Sequence, residues 1–77
     1  MKDLIDELME IGDDVGIPRN VKAKLQGAIS ALEQEDKEDP IKANKALQEL
    51  DDLSDDPNIP SYVRTQIWNV VSQLEAI

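Results

Sequence analysis

Two pairs of adjacent aspartates are candidate ligand-binding residues. Asp13-Asp14 and Asp55-Asp56 each precede an Ile-Pro dipeptide by the same interval. Hard divalent cations prefer clustered carboxylates, so one hypothesis is a cation or small-ligand site at these pairs. The spacing differs from that of a calcium loop, which alternates acidic positions around a central Gly. The alternative hypothesis is structural, because Asp side chains in turns accept backbone N–H groups and favour the helix that follows.

Other catalytic chemistry has little support in the composition. The chain contains no Cys and no His, which removes thiolate sites, disulfides and the side chain that most often acts as a general base. A serine without a neighbouring base is a weak nucleophile. Paired carboxylates serve glycosidases only in a deep cleft, which a chain of 77 residues rarely encloses. We therefore expect a protein that is not an enzyme and has no cofactor.

Trp68 and a stripe of small residues are candidate partner-binding features. Trp68 is the single Trp and falls one position off the apolar stripe of its segment. We expect it at the edge of the core, beside small residues such as Ala23 and Gly27. The alternative is that it anchors a partner or a second subunit, as Trp does at interfaces. Ala23, Gly27 and Ala31 recur at four-residue spacing, which indicates close approach of another helix; a functional groove is the alternative.

Residues 18–32 form the only basic segment. Arg19, Lys22 and Lys24 are its charged residues. We expect them to pair with carboxylates of neighbouring helices, and a weak site for an acidic ligand is the alternative.

The overall charge excludes some partner classes. The net charge is −9, from 17 acidic and 8 basic residues. Nucleic-acid binding needs a basic surface that neutralises phosphates, and an anionic membrane repels an acidic chain. We therefore expect no nucleic acid and no membrane as partners. The acidic run from Glu33 to Asp39 is expected to be solvated surface, with contact to a basic protein as the alternative.

The chain start and its hydropathy favour a soluble, cytoplasmic protein. Met1-Lys2-Asp3 runs straight into an amphipathic pattern, without the apolar core of a signal peptide. No apolar run approaches the roughly 20 residues that span a bilayer.

Two segments of the chain, which contain the candidate residues, have similar sequences. Residues 8–33 and 50–75 align without a gap at an offset of 42 residues. Such a match is the signature of one supersecondary unit used twice. The identical pairs are Leu8/Leu50, Asp13/Asp55, Asp14/Asp56, Ile17/Ile59, Pro18/Pro60, Val21/Val63, Ser30/Ser72, Leu32/Leu74 and Glu33/Glu75.

Apolar residues recur at helical spacing in four segments, and no run alternates as a strand would. The predicted helices cover residues 3–12, 18 to about 35, 40–54, and 60 to nearly the C-terminus. Pro18 and Pro60 are expected at the first helical position, and Asp39 as an N-cap before Pro40. The inward residues predicted for the last two helices are Ile41, Ala43 or Asn44, Leu47, Leu50, Leu53, Val63, Ile67, Val70, Val71, Leu74 and Ile77.

Two helical hairpins follow, each too small to be stable alone. We expect a single all-α domain over residues 1–77, a four-helix bundle built from two repeated hairpins at residues 3–36 and 40–77. The function expected of it is protein interaction, or a role as a small assembly subunit, through a helix face around Trp68 and the small-residue stripe. Its protein partner is unknown, and a homo-oligomer is possible.

Several motifs together resemble a known family. They are the two Asp-Asp turns, GIPRNV from Gly16 to Val21, KEDP from Lys37 to Pro40, and NIPSYVRTQIW from Asn58 to Trp68. Across its whole length the chain is similar to small archaeal proteins grouped as uncharacterised protein family 0147. The resemblance implies a compact all-helical domain from an archaeal cytoplasm, with no established biochemical role and no catalytic or binding residues to carry over.

Overall fold

Four helices account for most of residues 2–77, the part of the chain that the computed structural model describes. They are α1 Lys2–Gly12, α2 Arg19–Leu32, α3 Asp39–Ser54 and α4 Ser61–Glu75. Each helix packs against two neighbours, in the ring order α1, α2, α3, α4 and back to α1. Consecutive helices joined by short turns run antiparallel. The turns at 13–18 and 55–60 therefore lie at one end, and the turn at 33–38 lies at the other.

Aliphatic side chains fill the space between the helices. Each helix presents them at three- and four-residue intervals, which places them on one face. Among residues 2–77 no polar or charged residue is buried. The all-α prediction is confirmed, and the four helices form a compact body of 33 × 19 × 19 Å. In this part of the chain, no helix combines the length and apolar character needed to cross a membrane. The buried residues are Leu4, Leu8, Ile11, Ile17, Val21, Leu25, Ala28, Ala31, Leu32, Ala43, Ala46, Leu50, Leu53, Ile59, Val63, Ile67, Val70 and Leu74.

The second helix is shorter than predicted. It ends at Leu32 instead of about residue 35, and the N–H of its C-cap residue Glu33 bonds to the Ile29 carbonyl. Residues 33–39 contain no apolar side chain. Another helical turn would bury nothing, and tertiary packing supplies most helical stability in proteins.

The three later helices begin in one common way. Pro18, Glu38 and Pro60 are the N-cap residues, and none of them makes a side-chain capping hydrogen bond. Their carbonyls accept N–H groups from residues three and four positions further on. The predicted starts are therefore displaced by one residue: both prolines precede their helices, and Asp39 is helical instead of capping Pro40. One-residue differences of this kind are ordinary at helix ends.

Two residues predicted to face inward are exposed. Ile41 is 53% exposed and Ile77 is 48% exposed. Ile41 lies two positions before the buried Ala43, so it points about 200° around the helix from it. Of the two alternatives at the next position, Ala43 is buried and Asn44 is exposed.

Candidate functional site

In the turns before α2 and α4, one aspartate holds each turn together. Asp14 Oδ1 accepts the backbone N–H of Gly16 at 2.7 Å. Asp56 Oδ1 accepts the backbone N–H of Asn58 at 2.9 Å. These contacts are the local hydrogen bonds that make Asp favourable in turns. The second aspartate of each pair thus makes the turn hydrogen bond that the structural hypothesis expects.

The other oxygen of each carboxylate reaches the opposite half of the molecule. The Tyr62 hydroxyl donates to Asp14 Oδ2 at 2.6 Å. The Asn20 amide donates to Asp56 Oδ2 at 3.1 Å. Asn20 and Tyr62 occupy aligned positions, 42 residues apart, so the two contacts are reciprocal. Each turn is thereby tied to the first turn of the helix that follows the other.

The Asp14 contact shifts the titration of both partners. The Tyr62 hydroxyl lowers the pKa of Asp14 below its ordinary value of 3.8, and the Gly16 N–H and the Lys22 charge lower it further. The same hydrogen bond raises the pKa of Tyr62 above its ordinary value of 10.0. The charged acceptor and the neutral donor are therefore both favoured across neutral pH.

The geometry of the Asp-Asp pairs suits turn formation better than metal coordination. Asp13 and Asp55 are exposed, and both oxygens of Asp14 and of Asp56 already accept hydrogen bonds. Within residues 2–77, no group of three or more carboxylates stands close enough to surround a metal ion. A cation at either pair would compete with the hydrogen bonds of the turn.

The predicted ion pairing of the basic segment holds for one of its three residues. Lys24 Nζ lies 3.0 Å from Asp52 Oδ2 and 3.7 Å from Glu49 Oε2, both on α3. The Asp52 carboxylate raises the pKa of Lys24 above its ordinary value of 10.5. Arg19 and Lys22 form no ion pair with any residue in the range 2–77.

The small-residue stripe of α2 marks a helix contact, as predicted. A Cβ atom placed on Gly27 would lie 3.2 Å from Oε2 of Glu49, so α3 passes close to α2 at that point. Ala31 is buried, whereas Ala23 is exposed. The α3 side chain Glu49 thus lies against Gly27, while Ala23 at the other end of the small-residue stripe stays exposed.

A shallow groove of about 210 Å³ lies between α1 and α2. It is smaller than the roughly 300–1,000 Å³ of pockets that enclose small-molecule ligands. Its lining residues are Met9, Gly12, Asp13, Lys22, Leu25, Gln26 and Ile29.

Trp68 is 67% exposed, so the prediction that it lies at the edge of the core is wrong. It follows the buried Ile67 directly, which turns it about 100° away from the apolar face of α4. It does not fill space beside Gly27 either, because α2 and α4 stand at opposite corners of the ring. The structure therefore separates Trp68 from the candidate residues of α2.

Trp68 lies in the least charged part of the chain. Arg64 is the single charged residue between Asp56 and Glu75, although 32% of all residues are charged. Charged residues are depleted, and aromatic residues enriched, at the centres of protein interfaces. Sequence reasoning missed this run, although its signal is visible as a long uncharged interval in a highly charged chain.

Four residues share one face of α4 and are called here the α4 stripe: Arg64, Trp68, Val71 and Glu75. Their spacing of four, three and four residues places them in one line along a helix. Val71 is half-buried against the core, and the other three are exposed. The opposite side of α4 faces α1, where Gln73 Nε2 donates to a glutamate at 3.4 Å. The stripe is consequently an outward surface.

A family model and several relatives match almost all of the chain. The model is described as an uncharacterised protein family, UPF0147, and matches residues 1–77. A UPF0147 protein of Methanocaldococcus jannaschii is 41% identical over 70 residues, which cover 91% of this chain and 75% of that protein. A UPF0147 protein of Sulfurisphaera tokodaii is 36% identical over 77 residues, covering 100% and 86% respectively. Both relatives are archaeal.

Two crystal structures resemble this fold over nearly its full length. One, of a protein of unknown function, has a TM-score of 0.95 and 45% identity, covering 99% of this chain and 86% of its own. The other, from the same uncharacterised family in Thermoplasma acidophilum, has a TM-score of 0.90 and 31% identity, covering 97% and 88%. Neither description states a function.

Proposed function

The chain belongs to the uncharacterised protein family UPF0147, and from that premise we propose that it is a non-enzymatic protein-interaction domain or small assembly subunit. It binds its partner through the α4 stripe. The observation that carries this proposal is Trp68, which is 67% exposed in the middle of an uncharged interval. Exposing a large aromatic side chain to water is unfavourable unless a partner covers it, and Trp is among the residues that dominate binding energy at interfaces.

The size of the α1–α2 groove supports a non-enzymatic role. Its volume of about 210 Å³ leaves little room to exclude water around a reacting group. Asp13 and Lys22 are the charged residues that line it, and neither has a partner arranged as a nucleophile or a base would need. A cytoplasmic location is part of the proposal, since a protein without disulfides suits a reducing compartment.

We also propose that the fold arose from one helical hairpin used twice. Burial supports this, because aligned residues have matching environments: Val21 and Val63 are both 0% exposed, and Leu25 and Ile67 are 0% and 1% exposed. The reciprocal contacts of the two aspartate turns also support it. Under this proposal the two halves form a single core, and a partner contacts only their outer faces.

The halves differ where the proposed binding surface lies. Trp68 aligns with Gln26, and both are exposed. A duplicated scaffold thus carries an aromatic side chain on one copy and a polar one on the other. That difference supports a binding role for α4 in particular.

Affinity capture from an archaeal lysate tests the proposed function. The wild-type protein, Trp68→Ala and the matched control Gln26→Ala are immobilised in parallel. We expect a protein that is retained by the wild type and by Gln26→Ala and is lost from Trp68→Ala. Equal retention by all three would exclude α4 as the binding surface, and retention of nothing by the wild type would contradict binding to a different protein.

A further inference from the structure

We propose that the α4 stripe binds a second copy of this chain, with two α4 helices packed antiparallel about a two-fold axis. This inference rests on the proposed function, because it names the partner of the same surface. It draws on the order of residues along the stripe, which is positive, aromatic, aliphatic and negative from Arg64 to Glu75.

The stripe is complementary to itself when its direction is reversed. Arg64 and Glu75 are 11 residues apart, about 16 Å along the helix at 1.5 Å per residue. That separation prevents them from pairing within one molecule. A two-fold axis midway between them brings Arg64 of each copy opposite Glu75 of the other. Isologous contacts of this kind require a self-complementary patch.

The same axis pairs the apolar residues in the middle of the stripe. Trp68 of each copy meets Val71 of the other, because both lie the same distance from the midpoint. Trp68 is 67% exposed, and Val71 is half-buried and fixed against the core. An exposed ring thus packs on an aliphatic side chain that is anchored in the core, which is the arrangement of a binding hot spot.

Charge favours a second copy over a basic protein at this surface. The α4 stripe carries one positive and one negative charge, on Arg64 and Glu75, so it gives a basic partner no net attraction. Two copies that each carry a net charge of −9 repel, and contact through the least charged run of the chain keeps that repulsion smallest. Arg64 Nη2 also donates to the Asp56 carbonyl at 3.0 Å, which holds the guanidinium at its end of the stripe.

The contact area predicts a weak, reversible dimer. The whole molecule exposes 4922 Å², and a standard interface buries about 800 Å² on each partner. One helix pair of this length buries less than that. We therefore expect a monomer–dimer equilibrium that is visible only at high protein concentration, and that strengthens with added salt as the mutual repulsion is screened.

Charge exchange across the stripe is the test. Sedimentation equilibrium is measured up to about 1 mM protein for the wild type, Arg64→Glu, Glu75→Arg and the double variant. Each single variant places like charges opposite each other at both ends of the contact. We expect about tenfold weaker dimerisation for each. The double variant keeps the net charge of −9 and restores opposite pairs, so we expect recovery to within about threefold of the wild type.

Two results of the charge-exchange experiment would overturn the proposal. A wild type that stays monomeric at every concentration and at high salt overturns it. A dimer in which the double variant is as weak as the single variants also overturns it, because position 64 then does not face position 75. Circular dichroism checks that every variant is folded, and the two single variants give independent readings if one of them unfolds.

Trp68 supplies a second readout. Trp68→Ala should weaken dimerisation by at least about 30-fold, since the symmetric contact loses the ring twice, and Gln26→Ala should leave it unchanged. The indole emission of the wild type should shift to the blue as concentration rises. An unchanged dissociation constant in Trp68→Ala would overturn the proposal.

Failure of the dimer is distinguishable from failure of the proposed function. A protein that is monomeric but captures a different lysate protein in a Trp68-dependent manner keeps the interaction role and loses the second copy as partner. A protein that dimerises through the stripe and captures nothing else identifies self-assembly as the whole of the interaction.

Discussion

Asp14 and Asp56 use their two carboxylate oxygens for different purposes. One oxygen closes the turn that contains the residue, and the other receives a side-chain donor from the opposite half. Asp14 and Asp56 recur at aligned positions because both turns lie at one end of the molecule and form the same set of hydrogen bonds. At the residue scale, the second aspartate of each pair therefore has a structural role.

Tyr62→Phe should destabilise the protein most near neutral pH. The folded-state pKa of Asp14 is below its unfolded value, so the contribution of the hydrogen bond is complete above pH 3.8 and is lost as the pH falls through the folded pKa. The pKa of Tyr62 is raised, so the contribution is complete below pH 10.0 and is lost as the pH rises through the folded pKa. Chemical denaturation of the wild type and of Tyr62→Phe from pH 2 to 11 measures the difference in the free energy of unfolding.

The other 16 side-chain carboxylates and the lysines are common to both proteins, so their contributions cancel in the wild-type minus Tyr62→Phe difference. The difference in the free energy of unfolding should be constant around neutral pH and should decrease at both acidic and alkaline pH. A difference that is flat across the whole range would contradict the assigned hydrogen bond. Asn20→Ala serves as the control, since the Asn20–Asp56 contact has no ionisable donor and should show no alkaline loss.

Calcium or magnesium at millimolar concentration should leave the melting temperature unchanged. A bound cation would have to displace hydrogen bonds from Asp14 or Asp56, and the neighbouring Asp13 and Asp55 offer one further carboxylate each. Oxygen sites for calcium usually need six or more ligands. Differential scanning calorimetry with and without each ion measures the shift. A rise that disappears in Asp13→Asn would restore the cation hypothesis for the first turn.

At the scale of the helices, helix propensity and side-chain packing have opposite effects at Gly27. Gly27→Ala should stabilise the protein by about 0.5–1 kcal/mol, because Gly is unfavourable inside a helix. The added Cβ would lie 3.2 Å from the Glu49 carboxylate oxygen, the flexible end of a side chain that can move aside. Urea denaturation measures the change. A destabilised variant would mean that Glu49 is held more firmly than its partly exposed position indicates.

The sequence was sufficient to predict four helices and both Asp-Asp turns. Apolar spacing fixes which side of a helix is buried, and the buried residues of α1 and α2 follow it closely. Helix ends were predicted less well, because α2 stops where its apolar residues stop and a one-residue displacement changes no contact. The apolar character of Ile41 predicts an inward position, but its phase along α3 sets it opposite to the buried Ala43.

The exposure of Trp68 differs from the prediction for another physical reason. A small domain needs every large apolar side chain it has, and that argument put the ring at the edge of the core. The aliphatic side chains of the four helices close the core without it. Its phase along α4, one step past Ile67, was the better guide.

At the scale of the whole molecule, equivalent core positions should have similar costs. Leu25→Ala and Ile67→Ala should each destabilise the protein by about 2–5 kcal/mol, since both residues are at most 1% exposed. Gln26→Ala and Trp68→Ala are the matched surface controls and should change stability by at most about 0.5 kcal/mol. Denaturant unfolding measures all four. A negligible loss at one core position alone would contradict the equivalence of the halves.

Charge is distributed unevenly over the molecule, and this distribution links the fold to the proposed interaction. Most of the excess negative charge lies on α1, on α3 and in the turn at 33–38. In α4, by contrast, Arg64 is the single charged residue before Glu75. Surface charge keeps a small acidic protein dispersed. Another protein can approach this sparsely charged run with the least electrostatic repulsion.

Site-specific photocrosslinking in an archaeal host tests the central claim, that the outer face of α4 binds a protein, most directly. Ser72 and Ser30 are identical, aligned and both exposed, so a photoreactive amino acid is placed at one or the other. We expect a discrete crosslinked protein from position 72, one turn beyond Trp68, and none from position 30. Crosslinking from position 30 alone, or equal yields from both positions, would contradict it.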